Sequence, residues 1–335
     1  MSANPRRIDV HHHLQPPKFI AWLNENHPEW TGGPDLPHWT PEIGIEVMER
    51  AGIATAIASS VPSVYWGDAA LAASFATYCN EYAARVSQDH PRHYGAMGTL
   101  PLPDVAAACK EAVYVLDTLG LDAIILNASQ GVQYLGDPSY EELMQVLNER
   151  DAIVLIHPTT APPGADVPKL HIPYGLVEFM ADTSRAVSQL LFNGVFERYP
   201  RIRWIISHAG AMIPYIHFRL RLAELKPEMK ARVPKGTVHY LQNLYYDTAL
   251  STSEAVFAAL KEFAKPDHIL FGSDYPLLPE PIVQAEVHGI ESSKVLDAKW
   301  RKAINRDNAL KLFPRFASDT NILSRVARSL AGEHA

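Results

Sequence analysis

The sequence is poor in cysteine, in positive charge and in long apolar runs, and each shortage excludes a class of protein. Only two cysteines, Cys79 and Cys109, occur in 335 residues; they are too few for a disulfide framework, so a reducing compartment is expected. A formal net charge of -7 argues against nucleic acid or an anionic membrane as the main partner. No apolar run approaches the roughly 18 residues of a membrane span, and the opening MSANPRRIDVHH has no apolar signal-peptide core. We therefore expect a cytoplasmic protein.

Internal repeats and low-complexity tracts are missing too, and a different pattern recurs along the chain. Short apolar runs alternate with segments of helical pattern, and most of the runs lack polar alternation, as strands buried on both faces do. Eight strands are predicted, at residues 7–13, 54–61, 93–100, 122–127, 152–157, 202–208, 244–248 and 268–273. Helices are predicted between them, at residues 41–51, 70–88, 104–119, 139–150, 177–198 and 253–264.

Eight strands alternating with helices at this length favour a (β/α)8 TIM barrel over a doubly wound sheet. No segment has the composition of an interdomain linker, so residues 1–335 are predicted to form a single domain. An insertion rich in Trp, Pro and Gly follows the first strand, at residues 24–39, and a C-terminal helical extension begins at Glu280. Because the loops after the strands build the active site of a barrel, the insertion is a candidate lid.

Side chains of the kinds that bind metals stand where the predicted strands end. The first strand ends in a histidine triplet, and period-two geometry places His11 and His13 on one face and His12 on the other. The fifth strand ends at His157. Asp274 follows the eighth strand, which pairs with the first when a barrel closes. Three imidazoles and one carboxylate at the mouth are a typical set for a divalent metal ion.

Each of these residues has an ordinary alternative role when taken alone. His157 precedes a proline and could end its strand, and Asp274 could cap the next helix. Their joint placement at three strand ends is what indicates a metal site. The donor atoms suit Zn²⁺, Mn²⁺ or Fe²⁺; one Zn²⁺ ion is expected, with Mn²⁺ as the alternative. Asp247, near the end of the seventh strand, either orients a ligand histidine or only ends its strand.

Four motifs stand at these strand ends: IDVHHH (8–13), LIHP (155–158), ISHAGAMIPY (206–215) and FGSDYP (271–276). Together they resemble the amidohydrolase superfamily, specifically its amidohydrolase-2 branch related to aminocarboxymuconate semialdehyde decarboxylase. Weaker likeness fills the gaps between them and extends the resemblance over nearly the whole chain. Within the branch, the VHHHLQPP and WTPE segments look most like the 6-methylsalicylate decarboxylases.

The resemblance implies a role for particular residues. The metal ligands that it implies are His11, His13, His157 and Asp274. His208, at the end of the sixth strand, matches the histidine that acts as acid/base or holds the metal-bound water. Arg219 lies where relatives place an arginine that reaches a substrate carboxylate, sometimes across a dimer interface; a residue of the helix surface is the alternative. A homodimer or a larger homo-oligomer is therefore expected.

Two further substrate contacts are expected near the mouth. Trp66 resembles an aromatic loop position that stacks on a planar ring, with packing beneath the lid as the alternative. Tyr275 follows the ligand Asp274 and is expected to line the pocket.

Departures from the superfamily pattern limit the number of metal ions and the class of substrate that the resemblance implies. The end of the fourth strand reads IILNASQG and lacks the lysine that bridges two metals in many members, so a single metal is favoured. It also lacks the glutamate of the TatD-like nucleases. The segment GGPDLPHWTPE has no arginine where aminocarboxymuconate semialdehyde decarboxylase carries one, which argues against the dicarboxylate substrate of that enzyme.

Two chemistries remain open because both use the same residues. In a decarboxylase the metal binds the carboxylate and an ortho hydroxyl, and Asp274 or His208 delivers a proton to the ring carbon. In a hydrolase or hydratase the metal lowers the pKa of bound water, and one of the same two residues accepts its proton. We expect a decarboxylase of a small aromatic, ortho-hydroxybenzoate-like or conjugated carboxylic acid, and a hydrolase or hydratase of a lactone is the alternative.

Overall fold

Seven parallel strands form one curled sheet in the computed structural model, which describes residues 6–27, 38–60, 63–130, 132–159 and 171–317. The strands follow one another around the sheet in chain order. They are β1 (Arg7–Leu14), β2 (Ile53–Ser60), β3 (Tyr94–Thr99), β4 (Ala123–Asn127), β5 (Ile153–His157), β6 (Arg203–Ile206) and β7 (Tyr245–Tyr246). After β4, Ser129–Gln130 and Gln133–Tyr134 form a small antiparallel hairpin that the sequence did not indicate.

The segment 268–275 closes the barrel between β7 and β1. Ile269 bridges in parallel to Tyr246, and Tyr275 bridges in parallel to His12. Val10 N donates to Phe271 O at 2.9 Å. The predicted eighth strand therefore occupies its expected place, but it makes isolated bridges rather than a regular strand. The predicted TIM barrel is confirmed.

Alternate residues along the strands enter two apolar layers. An outer layer packs between the sheet and the helices. The interior layer is formed by Ile8, Val10, Ile57, Met97, Ala123, Ile125, Ile153, Leu155, Ile205 and Leu270, with Leu312, Phe313 and Phe316 packed against them. These last residues belong to the C-terminal extension, and Arg315 beside them pairs with Asp122 at the start of β4. The extension thus covers the amino end of the barrel, and the carboxyl ends of the strands form the mouth.

The helices surround the sheet. Those before the sixth strand are α1 (Pro17–Asn26), α2 (Pro41–Arg50), α3 (Ala69–Asp89), α4 (Val105–Val113), α5 (Glu141–Glu149), α6 (Glu178–Phe192) and α7 (Val195–Arg198). Those after it are α8 (Ser207–Gly210), α9 (Ile213–Leu220), α10 (Pro227–Arg232), α11 (Thr237–Gln242), α12 (Glu254–Phe263), α13 (Glu280–Ser292), α14 (Ala298–Lys302) and α15 (Asn308–Leu312). No described helix is long and apolar enough to cross a membrane.

Most predicted helix boundaries lie within a residue or two of those observed. Thr40 caps α2 through a hydrogen bond from Ile43 N, and Pro41 is its first residue, as predicted. The single helix predicted at 177–198 is wrong, because Gly194 adopts a left-handed φ of 71° and separates α6 from α7. The insertion predicted at 24–39 falls largely outside the described residues, as does the end of the C-terminal extension after residue 317.

Candidate metal centre

A β-bulge in β1 turns two histidines toward the barrel axis. Val10 belongs to the interior layer, so strict alternation would bring His12 inward rather than its neighbours. Between Asp9 and His12, however, β1 advances by three residues while β2 advances by two. The extra residue reverses the alternation. His11 and His13 consequently face the mouth, and the ring of His12 lies against Tyr275 in the outer layer.

Asp9 fastens this bulge to the closing segment. Its Oδ1 accepts hydrogen bonds from His11 N at 3.0 Å and from Ser273 N at 3.1 Å. Its Oδ2 accepts from Ser273 Oγ at 2.5 Å and lies 3.1 Å from His12 Nδ1. Asp9 is fully buried. One carboxylate therefore fixes the spacing between the histidine triplet and the segment that carries Asp274.

Four buried imidazoles surround the carboxylate of Asp274. Its Oδ1 lies 3.0 Å from His13 Nε2, 3.3 Å from His11 Nε2 and 3.8 Å from His157 Nε2. Its Oδ2 lies 3.4 Å from His208 Nε2. The ligand atoms of His11, His157, His208 and Asp274 all lie within 4.8 Å of one another. The structure thus brings together all five residues that the sequence assigned to metal binding and acid/base chemistry.

Three of the imidazoles are oriented through Nδ1. The partners are Asp247 Oδ2 at 2.8 Å for His11, Ser59 Oγ at 3.1 Å for His13 and Pro158 O at 2.7 Å for His157. This is the usual arrangement around ligating histidines, whose second N–H is held by a neighbouring acceptor. The Nε2 atoms of His11 and His157 are buried and make no hydrogen bond with the described residues. Their lone pairs and the carboxylate fit a divalent metal ion.

His208 differs from the other three histidines. Its backbone is left-handed, with φ 54° and ψ 52°, and its N–H donates to Asp247 Oδ1 at 2.8 Å. Its Nδ1 is buried and has no partner within the described part of the chain. The strand predicted at 202–208 is wrong at its end, since β6 stops at Ile206 and this turn follows. Among the residues that the structure describes, His208 thus lacks the Nδ1 acceptor that orients each of the other three imidazoles.

Burial and mutual charges set the protonation of the cluster. Burial lowers the pKa of His157 to about 3 and also lowers the pKa of His13, so both imidazoles are neutral at pH 7. Burial acts on His11 in the same sense, but Asp247 and Asp274 outweigh it and raise the pKa of His11 well above 6.5. Burial would raise the pKa of Asp274, yet His11 and its neighbours hold it well below 3.8. The carboxylate is therefore ionised.

Asn127 is a site residue that the sequence reasoning missed. It ends β4 and is paired in the sheet with His157. Ala123 and Ile125 belong to the interior layer, so alternation directs Asn127 inward as well. Its Oδ1 is buried without a hydrogen-bond partner among the described residues. The alternation of inward and outward side chains along the IILN run could have indicated its position. An asparagine after an apolar run, however, is more commonly interpreted as the end of a strand.

The three predicted substrate contacts lie around the cluster rather than in it. Trp66 stacks on His27 with ring centroids 4.4 Å apart, in an aromatic group beside α1. Tyr275 is 3% exposed, and its ring packs on His12 at 5.3 Å, in the outer layer. Arg219 is exposed on α9, and no hydrogen bond or ion pair links it to the cluster across the described ranges.

Comparison with known proteins assigns the family. The sequence model of the amidohydrolase family matches residues 8–315. The chain belongs to the amidohydrolase family. The 6-methylsalicylic acid decarboxylase of Penicillium expansum is 33% identical over 316 residues, which cover 92% of this chain and 96% of that one. Its counterpart in Aspergillus aculeatus is 34% identical over 324 residues, with the same coverage of both chains.

A solved structure described as an amidohydrolase II agrees in fold. It superposes with a TM-score of 0.85 at 28% identity and covers 92% of this chain and 99% of its own. Four relatives at 31–34% identity over most of this chain are named as decarboxylases. The resemblance inferred from the sequence motifs is therefore confirmed.

Proposed function

We propose that this amidohydrolase is a metal-dependent decarboxylase of a small aromatic acid that carries a hydroxyl ortho to its carboxylate. The observation that carries the proposal is the buried cluster around Asp274, in which His208 faces one carboxylate oxygen and three histidines face the other. The decarboxylase names of the relatives supply the reaction class. Those names also make 6-methylsalicylate the leading substrate.

His11, His13 and His157 would hold one divalent ion through Nε2, together with the carboxylate of Asp274. We propose Zn²⁺, with Mn²⁺ as the alternative, because both accept imidazole and carboxylate donors. When bound, the ion supplies Lewis-acid attraction for the substrate's carboxylate and ortho hydroxyl oxygens. Asn127 at the end of β4 carries no charge and cannot bridge to a second ion, which agrees with a single metal.

His208 is the group that we propose delivers the proton. Asp274 is ionised, since its pKa is held well below 3.8, so it does not store a proton at neutral pH. It instead orients the His208 ring, whose Nε2 lies 3.4 Å from Oδ2. The ring carbon that bears the carboxylate gains the proton from Nε2. The carbon–carbon bond to the carboxylate then breaks, its electron pair restores the aromatic ring, and CO2 leaves.

A homodimer forms part of the proposal. On α9 and just beyond it, an apolar row is open to solvent: Tyr215 is 89% exposed, Phe218 66%, Leu222 54% and Leu225 82%. Their spacing of three or four residues places them on one face, and Arg219 lies within that row. A second copy of the chain packed on this face covers the apolar side chains and brings Arg219 close to that second copy. Replacement of Phe218 by lysine should then give a monomer in light-scattering measurements.

The decisive experiment measures CO2 release from a panel of hydroxybenzoates, including 6-methylsalicylate, by protein loaded in turn with Zn²⁺ and Mn²⁺. We expect the wild type to turn over at least one of these acids and His11→Ala to turn over none. In His208→Asn, turnover should fall while the metal stays bound. His288→Ala removes an exposed imidazole on α13 and should leave turnover unchanged. If no acid on the panel releases CO2 while the same protein hydrolyses a lactone, the decarboxylase assignment is wrong.

A further inference from the structure

Asp182 is a buried carboxylate on α6 that belongs to no part of the metal cluster. It is 5% exposed, and both of its oxygens bind groups from other loops. Oδ1 accepts a hydrogen bond from Ser129 Oγ at 2.9 Å, and Oδ2 accepts one from Thr159 N at 3.1 Å. Burial raises the pKa of Asp182, although these hydrogen bonds oppose the rise. A buried carboxylate is costly unless it is hydrogen-bonded, so both loops are fastened tightly to the helix.

The two loops that Asp182 joins begin at the functional ends of neighbouring strands. Ser129 stands two residues after Asn127, and Thr159 stands two residues after His157. The strand ends are themselves paired, because Asn127 lies opposite His157 in the sheet. A shift of either loop would therefore be transmitted over two residues to a side chain that faces the cluster.

Ser184, two residues further along α6, fastens a third strand end. Its Oγ accepts a hydrogen bond from Met212 N at 3.0 Å and donates one to Met180 O at 2.7 Å. Met212 stands four residues after His208 and immediately before α9. A short stretch of one helix thus binds the loops that follow β4, β5 and β6.

We propose that Asp182 and Ser184 are positioning residues, which hold His157 in place for metal binding and His208 in place for proton transfer. The inference rests on the metal site of the proposed function, but not on its reaction. Neither side chain touches a cluster atom. Asp182 acts through the loop after β5, and Ser184 acts through the turn that contains His208.

The test compares variants of the full-length protein by their dissociation constant for Mn²⁺, by the electron paramagnetic resonance spectrum of bound Mn²⁺ and by their melting temperature. Asp182→Ala removes both acceptors, and we expect Mn²⁺ affinity to fall at least tenfold and the spectrum to change, in line with about 10–100-fold effects for groups that orient metal ligands. Asp182→Asn should restore affinity, because its oxygen can accept from Thr159 N while its amide donates to Ser129 Oγ. Ser129→Ala, a milder change, should weaken Mn²⁺ binding less than Asp182→Ala does.

Ser184→Ala is expected to keep Mn²⁺ affinity and to lower kcat on the accepted acid without a matching change in KM. Ser188→Ala is the matched control, since among the described residues Ser188 Oγ donates to Ser184 O of the same helix and to no other group; it should change neither quantity. A folded Asp182→Ala or Ser129→Ala protein that binds Mn²⁺ like the wild type, with an unchanged spectrum and only a lower melting temperature, would overturn the proposal. Loss of Mn²⁺ in Asp182→Ala, from a protein that decarboxylates no acid, would sustain this inference while the proposed reaction fails.

Discussion

Replacement of Asp247 by asparagine should disable His11 as a metal ligand without removing any side-chain volume. In the native protein Asp247 is fully buried, and its Oδ2 accepts from His11 Nδ1 at 2.8 Å. Its Oδ1 accepts two backbone hydrogen bonds, from His208 N at 2.8 Å and from Ala249 N at 3.0 Å. All three donors around the carboxylate thus face an accepting oxygen.

An asparagine side chain offers one accepting oxygen and one donating NH2 group, so the hydrogen bonds on one side of Asp247 must be lost. If the NH2 group faces the two backbone N–H groups, two buried donors lose their acceptor, at about 1–3 kcal/mol each. If the NH2 group faces His11 instead, the ring must accept at Nδ1 and carry its proton on Nε2. The second arrangement costs less, but it removes the Nε2 lone pair that would bind the metal. We therefore expect metal affinity to fall about 10–100-fold, equivalent to about 1.4–2.8 kcal/mol.

Titration calorimetry of metal-free protein with Mn²⁺ measures this loss directly. Asp267→Asn is the control, because Asp267 lies half-exposed at the opposite end of the barrel and pairs with Lys311. Asp267→Asn should bind Mn²⁺ like the wild type, and circular dichroism should show that both variants are folded. Wild-type Mn²⁺ affinity in Asp247→Asn would show that His11 coordinates without its acceptor, and the prediction would then be wrong.

Three further outcomes are expected. Glu286 is buried, and burial together with nearby carboxylates raises its pKa to about 9; the folded state keeps a proton that the unfolded chain releases near pH 4.5, so stability falls with rising pH by up to about 1.4 kcal/mol per unit over that window. The melting temperature of Glu286→Gln should therefore increase relative to that of the wild type between pH 5 and pH 8. A difference in melting temperature that stays constant over this range would contradict the prediction. An added Cβ at Gly272 would lie 2.8 Å from His11 Cβ and 3.1 Å from Asp247 Cβ, so Gly272→Ala should lose about 1–3 kcal/mol of stability together with metal affinity, unlike Gly175→Ala. Removal of metal by a chelator should lower the melting temperature, and at metal concentrations of 100 times Kd the loaded protein should be stabilised by about 2.7 kcal/mol.

The strand ends could be predicted from the sequence because apolar runs and polar termini are local patterns. His157 and Asp274 were placed at the mouth by strand order alone, since parallel strands bring their carboxyl ends to one edge. The side that His11 and His13 face could not be derived in this way. It depends on the bulge after Asp9, and a bulge follows from pairing with β2 rather than from the composition of β1.

Other features depend on backbone conformation that no residue pattern announced. His208 lies in a left-handed turn after β6 and is held there by Asp247, which follows β7. Its predicted extended conformation is therefore wrong, although the structure places it beside Asp274 as expected. Gly194 divides a predicted helix for the same kind of reason, because glycine adopts either sign of φ with similar ease and the residue type alone does not say which one is used. The roles predicted for Arg219, Trp66 and Tyr275 stay predictions.

Reaction with 6-methylsalicylate in D2O, followed by NMR, shows whether this metal centre decarboxylates an ortho-hydroxylated aromatic acid. We expect one CO2 for each acid consumed and one deuterium at the ring carbon that carried the carboxylate, both dependent on added metal and both absent in His11→Ala. Unchanged acid with stoichiometric metal bound, together with hydrolysis of a lactone by the same preparation, would show that the decarboxylase assignment is wrong.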